Sequence, residues 1–195
     1  MATIILAGGL SLRMGRDKAR LLIDETSLIQ LLASRFAGAF GDVLVAAHYD
    51  QDVQVENAQI ARDIYHGVGP LGGMHAGLSA SPDDANFVLA CDMPFADVQL
   101  AQYLMSLTGD YDAVVPSLNE GLEPLFAVYR KSCLPAIETV LLAGRFRFKD
   151  LLDRVSVNYV TQDDIRLHDP DLRGFINVNS PEDYEKALKL NEGKE

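Results

Sequence analysis

A chain of 195 residues, 48% hydrophobic and 23% charged, has the composition of an ordinary globular protein and can bury a substantial core. Its net charge of −11 excludes broad nucleic-acid binding, which rests on cations neutralising phosphates. A small anion held in a focused positive pocket stays compatible with that acidic exterior. Two cysteines, Cys91 and Cys133, are too few for a disulfide framework or a structural zinc site. The first apolar run is short and broken by glycines, unlike a signal peptide, and no apolar stretch approaches the ~18 residues of a membrane span. A soluble, cytoplasmic protein with no membrane or nucleic-acid partner is expected.

Hydrophobic runs alternate with amphipathic patterns. TIILA (residues 3–7) reads as a strand and SLIQLLASRFAGAF (27–40) as a helix, with Leu28, Leu31, Leu32 and Phe36 at helical spacing and Ser27 as N-cap. DVLVAA (42–47) and QIARDI (59–64) are strands, GPLGGMHAGLSAS (69–81) a loop entering a helix, and NFVLACD (86–92) another strand. ADVQLAQYLMSLT (96–108) is helical, and DAVVPSL (112–118) and EPLFAVYR (123–130) are strands. Helical patterns at 134–144 and 148–155 precede a short β-like piece, VNYVT (157–161), and a closing strand, turn and helix, FINVNSPEDYEKALKL (175–190). This alternation specifies an α/β protein with a mostly parallel sheet, in a single domain over residues 1–195.

In such sheets ligands sit beyond the carboxyl ends of the strands, and the chemically unusual residues fall there. Gly8 and Gly9 follow the first strand; they suit a tight turn, or a bare backbone whose N–H groups cradle phosphate oxygens. Arg13 and Lys18 come next. Together they suit a polyphosphate, a bidentate fork beside a mobile point charge, although a solvated charged loop would also hold them. The order of glycines fits neither the dinucleotide fingerprint G-x-G-x-x-G nor the Walker loop G-x-x-x-x-G-K-[ST].

Asp92 ends a hydrophobic strand that Pro94 stops. It is placed to hold Mg²⁺, a hard cation that bridges to substrate phosphates, or to cap the next turn. Asp63 is a single carboxylate at another strand end, which a plain surface charge would explain; were a bound base guanine, a carboxylate would be the natural acceptor for its ring N–H and amino group. The glycines of GVGPLGGMHAGL (67–78) offer further bare backbone to wall a base or cover a phosphate. Asn177 and Asn179 alternate, hence share one face of the predicted last strand, and point to a metal or phosphate role. Ser180, Pro181 and Asp183 are explained by helix capping. Cys91 reads as a buried strand residue, and the four histidines have no metal-ligand spacing.

Taken together, LAGGLSLRMGRDK, GPLGGMHAGL, ACDMP, EPLFAVY and INVNSPED, in that order, resemble the molybdenum cofactor guanylyltransferases. These are nucleotidyltransferases on a Rossmann-like sheet flanked by helices on both faces, the nucleotide-diphospho-sugar transferase-like architecture. The resemblance runs from residue 4 to about residue 184. It implies GTP as donor, Mo-molybdopterin as acceptor and Mg²⁺ as cofactor, with room for transient contact with cofactor-biosynthesis proteins or apo-molybdoenzymes. It places Leu6, Ala7, Gly8 and Gly9 at the nucleotide, Lys18 at its phosphates, Asp63 at the guanine nucleoside, Asp92 at nucleotide and metal, and Asn177 and Asn179 near the metal and the acceptor. Arg13, Lys18 and Asp92 carry catalysis in this reading. Two positions depart from the pattern: some members have Asn where Ala46 stands, beside His48, and some have His where Glu123 stands. The competing readings are a nucleotidyltransferase using CTP or another phosphorylated acceptor, and a non-catalytic nucleotide-binding regulator.

Overall fold

In the computed structural model, residues 1–7, 21–23, 26–191 and 193 are described; Gly8, Gly9, Arg13 and Lys18 lie outside them. The chain opens with β1 (Ala2–Leu6), the hairpin β2 (Leu22–Ile23) and β3 (Thr26–Ser27), helix α1 (Leu28–Phe40), and strands β4 (Val43–Ala47) and β5 (Gln59–Arg62). Helix α2 (Pro70–Ala80), β6 (Ala85–Ala90), α3 (Val98–Ser106), β7 (Ala113–Leu118), β8 (Gly121–Leu122) and β9 (Phe126–Arg130) follow. Then come α4 (Leu134–Leu142), α5 (Phe148–Leu152), β10 (Val157–Thr161), α6 (Gln162–Arg166) and α7 (Pro181–Asn191).

All five residues of β1 are buried, as expected of a strand covered on both faces. Their side chains alternate: Ile5 faces one cluster with α1, α3 and α6, while Ile4 and Leu6 face another with α2, α4 and α5. The main sheet runs β10-β7-β9-β6-β1-β4-β5, with β8 paired to β7. Strands β1, β4, β5 and β6 are mutually parallel, as are β7 and β10. The sheet is therefore mostly parallel but mixed, because β9 runs antiparallel to both β6 and β7.

Helix starts follow local chemistry. The Ser27 hydroxyl accepts from the Gln30 N–H at 3.3 Å, and the Asp97 carboxylate from the Leu100 N–H at 2.7 Å, each satisfying an otherwise orphaned amide. Helix α2 lies tightly on the sheet: a Cβ at Gly77 would fall against the Ile4 side chain, with Ile4 Cδ1 only 3.1 Å away. Gly72, Gly73 and Gly77 are buried in this packing. Gly73 and Gly77 let the helix approach the sheet side chains Leu6, Ala46 and Ile4, while Gly72 packs on Tyr65 and Val68 just before the helix.

The closing strand is absent. Residues 176–179 have no ladder partner among the described residues; Arg173–Phe175 forms a 3₁₀ turn before them and α7 begins at Pro181. Val178 is fully buried in a small third cluster with Leu21, Ile23, Leu28 and Ala187. The apolar alternation of Ile176 and Val178 mimics a strand, but only Val178 is buried, and Ile176 is half-buried like Asn177.

Candidate active site

Because β1, β4, β5 and β6 are parallel, their carboxyl ends share one sheet edge. Short backbone bonds fix the residues just beyond those ends. The Ala7 N–H donates to the Ala46 carbonyl at 2.9 Å, the Asp63 N–H to Ala47 at 3.2 Å and the Cys91 N–H to Leu6 at 3.2 Å. Leu6, Ala7, Asp63 and Asp92 are thus brought to one edge, as the sequence predicts. The Val178 N–H donates to the Asp92 carbonyl at 2.8 Å, which draws the Asn177–Asn179 segment to the same place. Leu21, the first described residue after position 20, packs against Val178. Gly8, Gly9, Arg13 and Lys18 themselves lie outside the described residues.

The two asparagines flank Val178 but not on a strand face. Asn177 is half-buried and its Nδ2 donates to the Phe175 carbonyl at 3.1 Å. The Asn179 backbone N–H bonds the Asp183 carboxylate at 3.1 Å. Ser180 and Asp183 form the expected reciprocal cap, the Asp183 N–H reaching the Ser180 hydroxyl at 3.1 Å and the Ser180 N–H returning to the Asp183 carboxylate at 3.0 Å. The hydroxyl and the two amides hold the Asp183 carboxyl below its ordinary pKa.

Asp63 is half-buried beside α2, and its Oδ1 is buried without a hydrogen-bond partner among the described residues. Burial pushes its pKa up, opposed more weakly by His48 and His66. A buried carboxylate oxygen left unpaired is costly, and a ligand's N–H groups would relieve that cost. Around Asp63 the fold assembles an aromatic group that the sequence spacing does not reveal. The His48 and Tyr49 rings lie 4.5 Å apart, and the Tyr49 and His66 rings also 4.5 Å apart. His48 Nδ1 hydrogen-bonds Asp50, and Arg62 clamps the loop by donating to the carbonyls of His48 at 3.0 Å and Gln51 at 2.7 Å. Ala46, by contrast, is 1% exposed and only lines the packing of α2, so His48 is the side chain this strand offers to the edge. The one sequence signal for it is its place just past a predicted strand end.

Cys91 is buried, as expected of a strand residue. Burial pushes the Cys133 thiol up to about 12, far from the thiolate a nucleophile needs. On the far side of β6, Glu123 precedes β9 and is half-buried. Burial raises its pKa, and Glu120 adds to the shift. Among the described residues no helix is long and apolar enough to cross a membrane.

Comparison with known proteins adds an independent line. Residues 3–158 match the family of the MobA-like NTP transferase domain. The "Probable molybdenum cofactor guanylyltransferase" of Pelotomaculum thermopropionicum is 38% identical over 190 residues, covering 97% of this chain and 92% of that protein. The molybdenum cofactor guanylyltransferase of Desulfosudis oleivorans is 36% identical over 186 residues, covering 94% and 92%. The crystal structure of molybdopterin-guanine dinucleotide biosynthesis protein A from Archaeoglobus fulgidus superposes with a TM-score of 0.86 at 26% identity, covering 99% of this chain and 100% of that one.

Proposed function

From the premise that this chain belongs to the MobA-like NTP transferase family, we propose that it is a molybdenum cofactor guanylyltransferase. It transfers GMP from GTP to Mo-molybdopterin, giving the guanine dinucleotide cofactor and pyrophosphate. The observation that carries this reading is the convergence of two carboxylates at one sheet edge, Asp63, whose buried Oδ1 has no hydrogen-bond partner among the described residues, and Asp92. The first suits guanine and the second the phosphates and metal. β5 and β6 lie three strand spacings apart, roughly 14 Å at about 4.8 Å each, a span a nucleotide laid across the edge would bridge.

The acceptor's phosphate oxygen attacks the α-phosphorus in line as the bond to pyrophosphate breaks. Positioning and charge stabilisation suffice for such a transfer. A phosphate monoester is already ionised near neutral pH, so no general base is required. In this reading Arg13, Lys18 and the amides of Gly8 and Gly9 hold the departing pyrophosphate, and Leu6 and Ala7 line the nucleotide. Asn177 and Asn179 stand near the acceptor.

The donor set fits Mg²⁺. Among the described residues no group of three His, Cys, Asp or Glu side chains could enclose a metal, and Mg²⁺ needs only one or two carboxylates with substrate phosphates and water. Asp92 would hold it. Bound there, the ion supplies charge stabilisation for the phosphate oxygens. Both cysteines are buried thiols outside any disulfide, which accords with a reducing cytoplasm. Transient contact with other cofactor-biosynthesis proteins or apo-molybdoenzymes belongs to the same reading, since the acceptor and the product must both change hands.

Incubation with GTP, Mg²⁺ and Mo-molybdopterin tests this directly. Dinucleotide and pyrophosphate are expected in equal amounts. Turnover with CTP instead of GTP would reassign the base, and nucleotide binding without pyrophosphate release would make the protein a regulator.

A further inference from the structure

We propose that Glu123 recognises the pterin ring of the acceptor, as the counterpart of Asp63 at guanine; this rests on the guanylyltransferase reading and deepens it. Guanine and pterin present the same hydrogen-bonding edge, a ring N–H flanked by an exocyclic amino group, within a 2-amino-4-oxopyrimidine. A carboxylate accepts both donors at once, and a charge-assisted bidentate contact is stronger and more selective than a neutral one. An enzyme that joins these two molecules through their phosphates has use for two such carboxylates, one on each side of the reacting phosphorus.

The fold supplies two. β9 is antiparallel to β6, so its start lies at the edge where β6 ends, and the Ala90 N–H bonds the Leu125 carbonyl at 3.0 Å. Glu123 therefore stands on the same edge as Asp92, on the side away from Asp63. Its amide donates to the Pro116 carbonyl of β7 at 3.0 Å. From β6 to β7 is two strand spacings, roughly 10 Å. Asp92 thus lies between the two carboxylates. Two described acidic groups toward this edge are engaged, Asp50 with His48 and Asp97 with the start of α3. Among the described residues, repulsion from Glu120 adds to burial in raising the pKa of the Glu123 carboxyl.

The position is also built rigidly. The Glu123 carbonyl accepts from the Phe126 N–H at 3.2 Å. The next residue, Pro124, has its carbonyl held at 2.9 Å by the hydroxyl of the fully buried Tyr129. A half-buried acid on so fixed a backbone, with its pKa raised by burial and by Glu120, is poorly solvated until donors arrive. Such preorganisation is what a recognition group needs.

The test compares Glu123→Gln, Glu123→Asp and Asp63→Asn with wild type in steady-state transfer. The probes are Mo-molybdopterin as acceptor, GTP against ITP as donors, and pterin-6-carboxylate against lumazine-6-carboxylate as competitors. Lumazine carries an oxo group in place of the amino group. Glu123→Gln should raise the acceptor KM roughly 10- to 100-fold, as expected for losing hydrogen bonds to a charged group. It should also erase the preference for pterin over lumazine, while GTP-over-ITP discrimination stays. Glu123→Asp should restore part of the pterin preference. Asp63→Asn should show the opposite split, which a general structural defect would not produce. If wild type forms the dinucleotide while Glu123→Gln keeps its acceptor KM and its pterin preference, the role of Glu123 is refuted and the enzyme reading stands. If wild type forms no dinucleotide, the enzyme reading falls and this inference with it.

Discussion

The backbone N–H of Val178 meets the backbone carbonyl of Asp92 across 2.8 Å, joining the strand that carries the proposed metal-binding carboxylate to a segment 86 residues further along the chain (178 − 92). The contact uses no atom of the Asp92 side chain. Asp92→Ala leaves that backbone contact in place and should fold, while losing transfer by about 10²-fold or more, the scale set by removing a group that stabilises transition-state charge. Pyrophosphate release and a melting curve measured on one preparation check both halves. Near-normal turnover would refute the assignment.

Lys18→Ala should weaken GTP binding and slow transfer by roughly 10²–10³-fold. Calorimetric titration with GTP and single-turnover kinetics separate the two effects. Unchanged values would remove Lys18 from the phosphate site.

Asp63 gives a prediction in which stability and function part company. Burial raises its folded pKa above the unfolded value, so the native state holds the proton more tightly than the unfolded chain. Between those two pKa values stability contributed by this group falls as pH rises. With the charge removed, Asp63→Asn should melt higher than wild type near neutral pH without ligand, yet lose GTP affinity and the preference for GTP over ITP. GTP affinity of wild type should also fall as acid protonates Asp63 through its raised pKa. A variant that melts lower and still selects GTP would contradict the placement.

Gly77→Ala should cost about 1–3 kcal/mol, the usual penalty for overpacking, because the new methyl meets the Ile4 side chain and a β-branched residue has little rotamer freedom to yield. Pairing it with Ile4→Ala in a denaturation double-mutant cycle should show coupling of more than about 0.5 kcal/mol. Simple additivity would mean that α2 shifts as a body.

Several parts of this structure are legible in the sequence for local reasons. Ser27 caps α1 and the Ser180–Asp183 pair opens α7, because capping depends on residues three positions apart. Asp63 and Asp92 fall on one edge as soon as their strands are read as parallel. The direction of β9 is not legible, since it depends on β8, a two-residue strand too short to leave a periodic signal. Residues 176–179 look like a closing strand because Ile176 and Val178 alternate with asparagines, although only Val178 is buried. His48, Tyr49 and His66 come together only through the pairing of β4 with β5, and Glu123 reads in sequence as the first residue of a strand and a departure from the family pattern, whereas the observed strand starts at Phe126 and leaves Glu123 in the turn before it.

The third cluster has a temporal consequence for the protein in the cell. Leu21, Ile23 and Leu28 leave the ribosome long before their cover, Val178 and Ala187, has been translated. The tie from the Tyr184 hydroxyl to the Leu22 carbonyl waits equally long. A nascent chain that has emerged only as far as β10 thus has every strand of its sheet and still leaves this cluster uncovered.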